Sequence, residues 1–238
     1  MDMVDRTARD ELAATIERYL DEEITAFEFD AEIFGLADGT EDATVEEAVL
    51  TLYFYYDDSI DHKVVATKRD WDLFQRVLLL LRSDGELVRT RRRRWTVRQP
   101  IAACGVVAFG LCALALGFTQ QLLLVCIPLG CISGLLYGWR RREEQSRPWD
   151  PEIISPFSSV AEMLGVRRLL PGFAKRRYPG RLRKRRIRGR VEELVVLAWS
   201  GFLWFLLSPL VLLIYSFPED DSECRVVVSG LAPEGRDA

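Results

Sequence analysis

Six consecutive positions hold the densest chemistry in the chain: Asp57, Asp58, Ser59, Ile60, Asp61 and His62. Carboxylates so placed can share a divalent cation, because hard oxygen ligands suit a hard ion. Read without chemistry, the same stretch is a solvated acidic turn that closes a helix. His62 is the only histidine, so any site built on two imidazoles is excluded, and a serine or cysteine nucleophile would have to borrow this one. The sequence has no Gly-x-Ser-x-Gly stretch and no glycine-rich phosphate loop. It therefore predicts no catalytic residue, no cofactor and no metal; Asp57, Asp58, Asp61 and His62 are the only candidates to ligate one.

The aspartate spacing is similar to the Asp-Asp-x-x-Asp motif of isoprenoid synthases, whose carboxylates hold Mg²⁺. Those enzymes also need a large helical barrel and a second acidic motif, and this sequence shows neither.

The elements that must position the acidic turn read as helices. Thr7 with Asp10 is a variant capping box, and Leu12, Ile16, Tyr19, Leu20 and Ile24 follow at helical spacing, predicting a first helix over about 8–26. Phe27, Phe29, Ile33, Phe34 and Leu36 are less periodic and predict irregular turns or a short helix. Thr44 with Glu47 starts a second helix along Val45, Ala48, Val49, Leu52, Tyr53 and Tyr56, which ends in the acidic turn. Thr67 with Asp70 starts a third along Trp71, Phe74, Val77, Leu78 and Leu81.

Beyond this domain the chain turns apolar. Residues 101–118 and 122–139 contain no acidic, basic or histidine side chain, and each gives roughly 27 Å of helix, one bilayer core. Thr119, Gln120 and Gln121 join them as a hairpin. Arginines flank both ends: Arg89, Arg91, Arg92, Arg93, Arg94 and Arg98 before it, Arg140, Arg141 and Arg142 after it. Positive charge stays cytoplasmic, so both ends of the hairpin are expected inside. A third apolar run, 194–217, ends at Pro218, Glu219, Asp220 and Asp221 and is expected to run outward, with a kink at Ser208 and Pro209 and another at Pro128 in the second span. Spans without charge also argue against an independent ion pathway. No secretory signal is visible, so the first span is expected to target the chain.

The net charge of −4 is a cancellation. The first 88 residues carry 8 basic and 23 acidic side chains, and residues 140–191 carry 16 basic and 5 acidic ones. The basic loop is expected to dock either on the acidic domain or on anionic lipid. Arg91, Arg92, Arg93, Arg94, Arg140, Arg141, Arg142, Arg183, Lys184, Arg185, Arg186 and Arg188 are the residues expected to set topology or meet anionic headgroups. A basic run near Tyr178 could also bind nucleic acid, but its place before an apolar run makes nucleic acid an unexpected partner. Phe157, Val160, Ala161, Leu164 and Arg168 suggest a short amphipathic helix on the membrane surface.

Small residues recur four apart within the hairpin: Cys104, Ala108 and Cys112 in the first span, Cys126, Gly130, Gly134 and Gly138 in the second. Such stripes let helix backbones approach where lipid offers no hydrophobic drive. They predict packing within the hairpin, with a homo-oligomer on the glycine face as the alternative. Cys104, Cys112, Cys126 and Cys131 read as packing residues, and Cys224 is expected to face the outer compartment. Arginine far outnumbers lysine, which suggests a GC-rich bacterial genome.

The run from Tyr55 and Tyr56 through Asp61, His62 and Lys63, then Trp71, Phe74, Gln75 and Arg76 with Leu78 to Leu81, and later Pro156, Phe157, Ser158, Ser159, Arg177, Tyr178 and Pro179, is similar to an uncharacterised bacterial membrane-protein family. The resemblance covers most of the chain and implies no activity and no site residue.

The sequence thus predicts an all-α protein with a small cytoplasmic helical domain and three transmembrane helices, a hairpin plus one. Its parts are an acidic domain (1–88), a basic-flanked hairpin (89–142), a basic cytoplasmic loop (143–191), a third span (192–217) and an acidic outer tail (218–238). The expected location is a bacterial inner membrane, multi-pass, with the N-terminus cytoplasmic and the C-terminus outside. The expected role is a non-catalytic adaptor or scaffold for a protein partner. The alternatives are a membrane-associated metal-dependent enzyme using 57–62 and an accessory or immunity-type subunit docking within the membrane.

Overall fold

A computed structural model of the chain describes residues 4–57, 59–117, 119–145 and 154–227. Two units divide it: one gathers residues 1–90, 151–187 and 223–238, the other residues 91–150 and 188–222. The fold is mostly helical, and the departure from all-α among the described residues is a two-stranded sheet.

In the first unit each helix starts on a side chain that satisfies backbone N–H groups otherwise left without partners. α1 (Arg6–Leu20) is capped by Asp5, which accepts from the Ala8 N–H at 3.0 Å. The cap thus sits two residues before the expected Thr7. The helix also ends earlier than the apolar spacing suggested. Glu22 takes a left-handed backbone, φ 66°, which a side chain-bearing residue adopts at some cost and which no helix can continue through. Thr25 and Glu28 then form a full capping box and start α2 (Ala26–Asp38), so the segment expected to be irregular is a helix with Ala26, Phe29 and Ile33 on its buried side. α3 (Ala43–Tyr53) is capped by Asp42, again two residues before the expected threonine. α4 (Lys68–Leu81) starts at the Thr67 and Asp70 box as expected.

These four helices close over one core in which Trp71, Tyr19, Phe29 and Phe74 are fully buried. Arg9 is buried inside this unit. Its guanidinium donates to both Asp42 carboxylate oxygens, at 2.6 and 3.0 Å, and to the Ser83 and Gly85 carbonyls at 3.1 and 2.7 Å. A buried cation is tolerable only when paired and hydrogen-bonded in this way. A second cluster seats Leu79, Leu80 and Leu87 with Phe157, Val166 and Val226. α7 (Val160–Leu169) joins it through Val166 and Met163; of the face expected to meet the membrane surface, Phe157 is buried in this cluster while Val160 and Leu164 stay exposed.

β1 (Glu86–Arg94) pairs with β2 (Glu219–Val227). Leu87 and Val226 are buried while Val88 and Val227 are exposed, the alternation of a strand. The arginine run expected to flank a helix therefore lies largely in a strand, whose partner is more than a hundred residues away in sequence.

The second unit holds α5 (Arg98–Leu116), α6 (Gln121–Gln145), α8 (Arg190–Leu206) and α9 (Ser208–Tyr215). α5 and α6 are long and apolar enough to cross a membrane. The third apolar run is not one straight helix. α8 and α9 are bent by 71° at Leu207, with Pro209 opening α9 beside the expected kink. The chain after α9 does not continue away from the hairpin ends either. Glu219 reaches Arg98 at the start of α5, 2.7 Å from its guanidinium, and Glu143 near the end of α6 lies 3.2 Å from the same group.

Candidate functional site

The acidic turn comes together through its own backbone. The Asp57 N–H donates to His62 Nε2 at 3.2 Å, His62 Nδ1 lies 2.8 Å from the Lys63 carbonyl, and the Phe27 N–H donates to Asp61 Oδ1 at 3.2 Å. The imidazole nitrogens and one aspartate oxygen are thus engaged in holding the turn against the start of α2. Asp58 lies outside the described residues. Among the described residues no group of three histidine, cysteine or carboxylate side chains converges to hold a metal.

A larger polar constellation lies on the same unit, and the charge distribution pointed to it only in outline. Trp71 and Gln75 are one helical turn apart on α4 and so share a face. Trp71 Nε1 donates to the Arg176 carbonyl at 3.0 Å, and Gln75 Oε1 accepts from the Arg176 N–H at 2.8 Å. Together they engage both backbone groups of one residue, as a strand partner would. Tyr178 continues the contact: its hydroxyl donates to the Ala66 carbonyl at 3.0 Å and its ring meets Trp71 edge-on at 6.1 Å. Leu182, in a 3₁₀ turn at Gly180–Lys184, is buried in the same core.

Charge then clamps this strap. Arg176 pairs with Asp21, Lys175 with Asp72 at 2.7 Å, and Arg181 and Arg185 with Glu22 at 3.0 and 3.2 Å. Arg185 also donates to the Val64 carbonyl at 3.0 Å. The Asp21 carboxylate bonded to Arg176 holds that guanidinium above its usual range. Burial, by contrast, pushes the Arg76 guanidinium down. Of the two docking places open to the basic loop, residues 173–185 occupy the acidic domain. Glu22, which pairs with two of these arginines, sits in the left-handed turn that ends α1.

The residues expected to meet headgroups divide accordingly. Arg185 is engaged with the domain, while Arg183, Lys184 and Arg186 are exposed. Arg92, Arg93 and Arg94 are exposed along β1, and Arg94 lies 3.5 Å from Glu143. The Arg91 side chain and those of Asp220 to Cys224 lie outside the described ones. Arg140, Arg141, Arg142 and Arg188 stay at least partly exposed.

The small-residue stripes hold only in part. A Cβ on Gly130 would collide with the Phe205 ring, and Cys126 is buried. Gly134 and Gly138 have nothing within 4 Å of such an atom. In α5 the packed residues are Ala102 and Gly105, while Cys104 and Ala108 are exposed and Cys112 is half-buried. A four-residue repeat advances roughly 40° per step around a 3.6-residue helix, so the stripe winds off the contact after one step. The face instead follows Cys126, Leu129, Ser133 and Leu136.

No family model matches the chain, and neither does any curated protein or solved structure. The functional reading therefore rests on geometry and charge alone.

Proposed function

We propose that the chain is a multi-pass protein of a bacterial inner membrane whose helical unit faces the cytoplasm as a non-catalytic adaptor or scaffold for a protein partner. The observation that carries the membrane part is the pair α5 and α6, apolar enough to span and flanked at both ends by arginine, with an uncharged turn between. The adaptor part is supported by an exposed aromatic patch. Phe54 is 81 % exposed, Leu50 42 % and Tyr53 37 %, and the Tyr53 ring meets Phe34 and Phe54 edge-on. Apolar rings clustered in water on the surface of the helical unit suit a protein contact. Arg183, Lys184 and Arg186, which precede the apolar run in sequence, suit anionic headgroups.

A photo-crosslinking residue in place of Phe54, in the full chain in its membrane, tests the adaptor reading. One discrete crosslinked protein that persists in Asp57→Ala and Asp61→Ala variants is the expected result. No product above that from an exposed control position such as Glu41 would overturn it.

A further inference from the structure

We infer that the third apolar run does not cross the membrane but enters and leaves it on one side, as a re-entrant pair α8 and α9, so that the C-terminal strand lies on the same side as the helical domain. This rests on the reading that α5 and α6 cross a bilayer. The first observation is the membership of the helical unit. Its described residues, 4–57, 59–90, 154–187 and 223–227, form one compact body, with Val226 buried among Leu79, Leu80 and Leu87 and its N–H donating to Glu162. A compact body of this kind sits on one side of a bilayer. Each stretch of chain that leaves and rejoins it must therefore cross an even number of times.

The first excursion, 91–150, does so with α5 and α6. The second, 188–222, has one apolar run of 24 residues, 194–217. One crossing takes about 20 residues, so two would need about 40 plus a turn. α9 has 8 residues, about 12 Å of helix, less than half of a hydrocarbon core. Two crossings are impossible and one is forbidden by the parity, which leaves none.

The second observation comes from within the other unit and does not depend on the first. Ser208 Oγ donates to the Cys126 carbonyl at 3.0 Å, close to the hairpin turn. Leu212 then lies against Gly105 and packs with Leu129, halfway along the hairpin. Glu219 finally meets Arg98 and so arrives at the arginine end. From the bend onward the chain thus runs back the way the hairpin came in.

The bend is also built as a break at membrane depth must be. Irregular backbone survives in hydrocarbon only where protein covers it. Ser208 and Ser133 are fully buried, Trp204 Nε1 donates to Ser133 Oγ at 2.9 Å, and Ser133 Oγ donates to the Gly130 carbonyl at 2.9 Å. The absence of side chains at Gly105 and Gly130 lets Leu212 and Phe205 seat the bend against α5 and α6.

The test places reporters in the full chain. Alkaline phosphatase, active only outside, and green fluorescent protein, fluorescent only inside, are fused in turn after Ala238, and an epitope is inserted at Gln120. Fluorescence with phosphatase at background after Ala238, together with a Gln120 epitope open to antibody in intact spheroplasts, is the expected result. Phosphatase activity after Ala238 with the same exposed Gln120 epitope would overturn the re-entrant pair and leave the membrane reading standing. A Gln120 epitope reached only after lysis would overturn the membrane reading and this inference with it. Protease digestion of an epitope at Ala238 in sealed spheroplasts repeats the test without a bulky fusion: protection supports the inference, and cleavage overturns it.

Discussion

The two units treat the same kinds of side chain in opposite ways. In the helical unit Trp71, Tyr19, Phe29 and Phe74 are fully buried and the one deeply buried cation, Arg9 among the described residues there, has four hydrogen bonds. In the other unit α8 buries no residue at all, and Leu194, Leu197, Trp199 and Phe202 point outward with Val107, Leu111 and Leu114 of α5. Charge there collects at one end, where Arg98 meets Glu143 and Glu219. One unit hides its apolar surface from water, and the other displays it. The difference is the one the proposed membrane location calls for, since a helix apolar all round is stable only inside protein or lipid.

The comparison breaks most visibly at the buried pair. Arg9→Ala strands Asp42 without its partner and should destabilise the helical unit by about 3–5 kcal/mol, read as a fall in the thermal midpoint of the detergent-solubilised chain. The same pair sets an acid limit. Burial pushes the Asp42 carboxyl up, but the Arg9 guanidinium and the Thr44 and Asp5 N–H groups together outweigh it and hold the carboxyl below its usual range. With a depressed folded value the unfolded chain binds the extra proton. The stabilisation is therefore complete above the ordinary carboxylate value near ~4 and is lost as pH falls through the folded one. Midpoints measured from pH 6 down to pH 2 should show this loss in the native chain and show less of it in Arg9→Ala.

Glycine packing sharpens the other side. Gly130→Leu must displace the Phe205 ring and should cost about 1–3 kcal/mol, whereas Gly134→Leu, which meets open space, should change stability by less than about 0.5 kcal/mol. Unfolding in mixed micelles measures both. The next effect is smaller. Trp71→Phe keeps most of the buried ring but removes the hydrogen bond to the Arg176 carbonyl, about 1 kcal/mol, and faster tryptic cleavage after Arg176 and Arg177 should report the loosened strap. Smallest is Glu22→Gln, which removes the partner of Arg181 and Arg185. It should cost about 0.2–1 kcal/mol at low salt and converge on the native value at about 1 M salt, because partly exposed pairs are screened.

Local signals in the sequence were the most legible. The Thr67 and Asp70 box starts α4 where expected, and the periodicity of Val45, Ala48, Val49 and Leu52 gives the buried face of α3. Both misplaced caps share a cause: Asp5 and Asp42 precede a threonine that also looks like a cap. The Thr25 and Glu28 box was present to be read, but the left-handed turn at Glu22 that separates it from α1 has no glycine to announce it. Contacts between distant segments left little trace beyond the segregation of charge. Nothing in the chain marks β1 and β2 as partners, and nothing marks Trp71 and Gln75 as the pair that grips Arg176. The bend at Leu207 was foreshadowed by Ser208 and Pro209, yet only the position of Glu219 beside Arg98 shows where the chain goes next. At the acidic turn the spacing was plain, whereas the use of His62 and Asp61 as turn-building acceptors became visible only with coordinates.

The claim beneath this account is that α5 and α6 stand in a bilayer with the uncharged turn outside and the helical unit inside. Epitopes inserted in turn at Gln120 and at Glu41, probed with antibody in intact and then lysed spheroplasts, test it most directly. The account predicts binding at Gln120 in intact spheroplasts and at Glu41 only after lysis. Equal accessibility of the two sites in intact spheroplasts, or the reverse order, would contradict it.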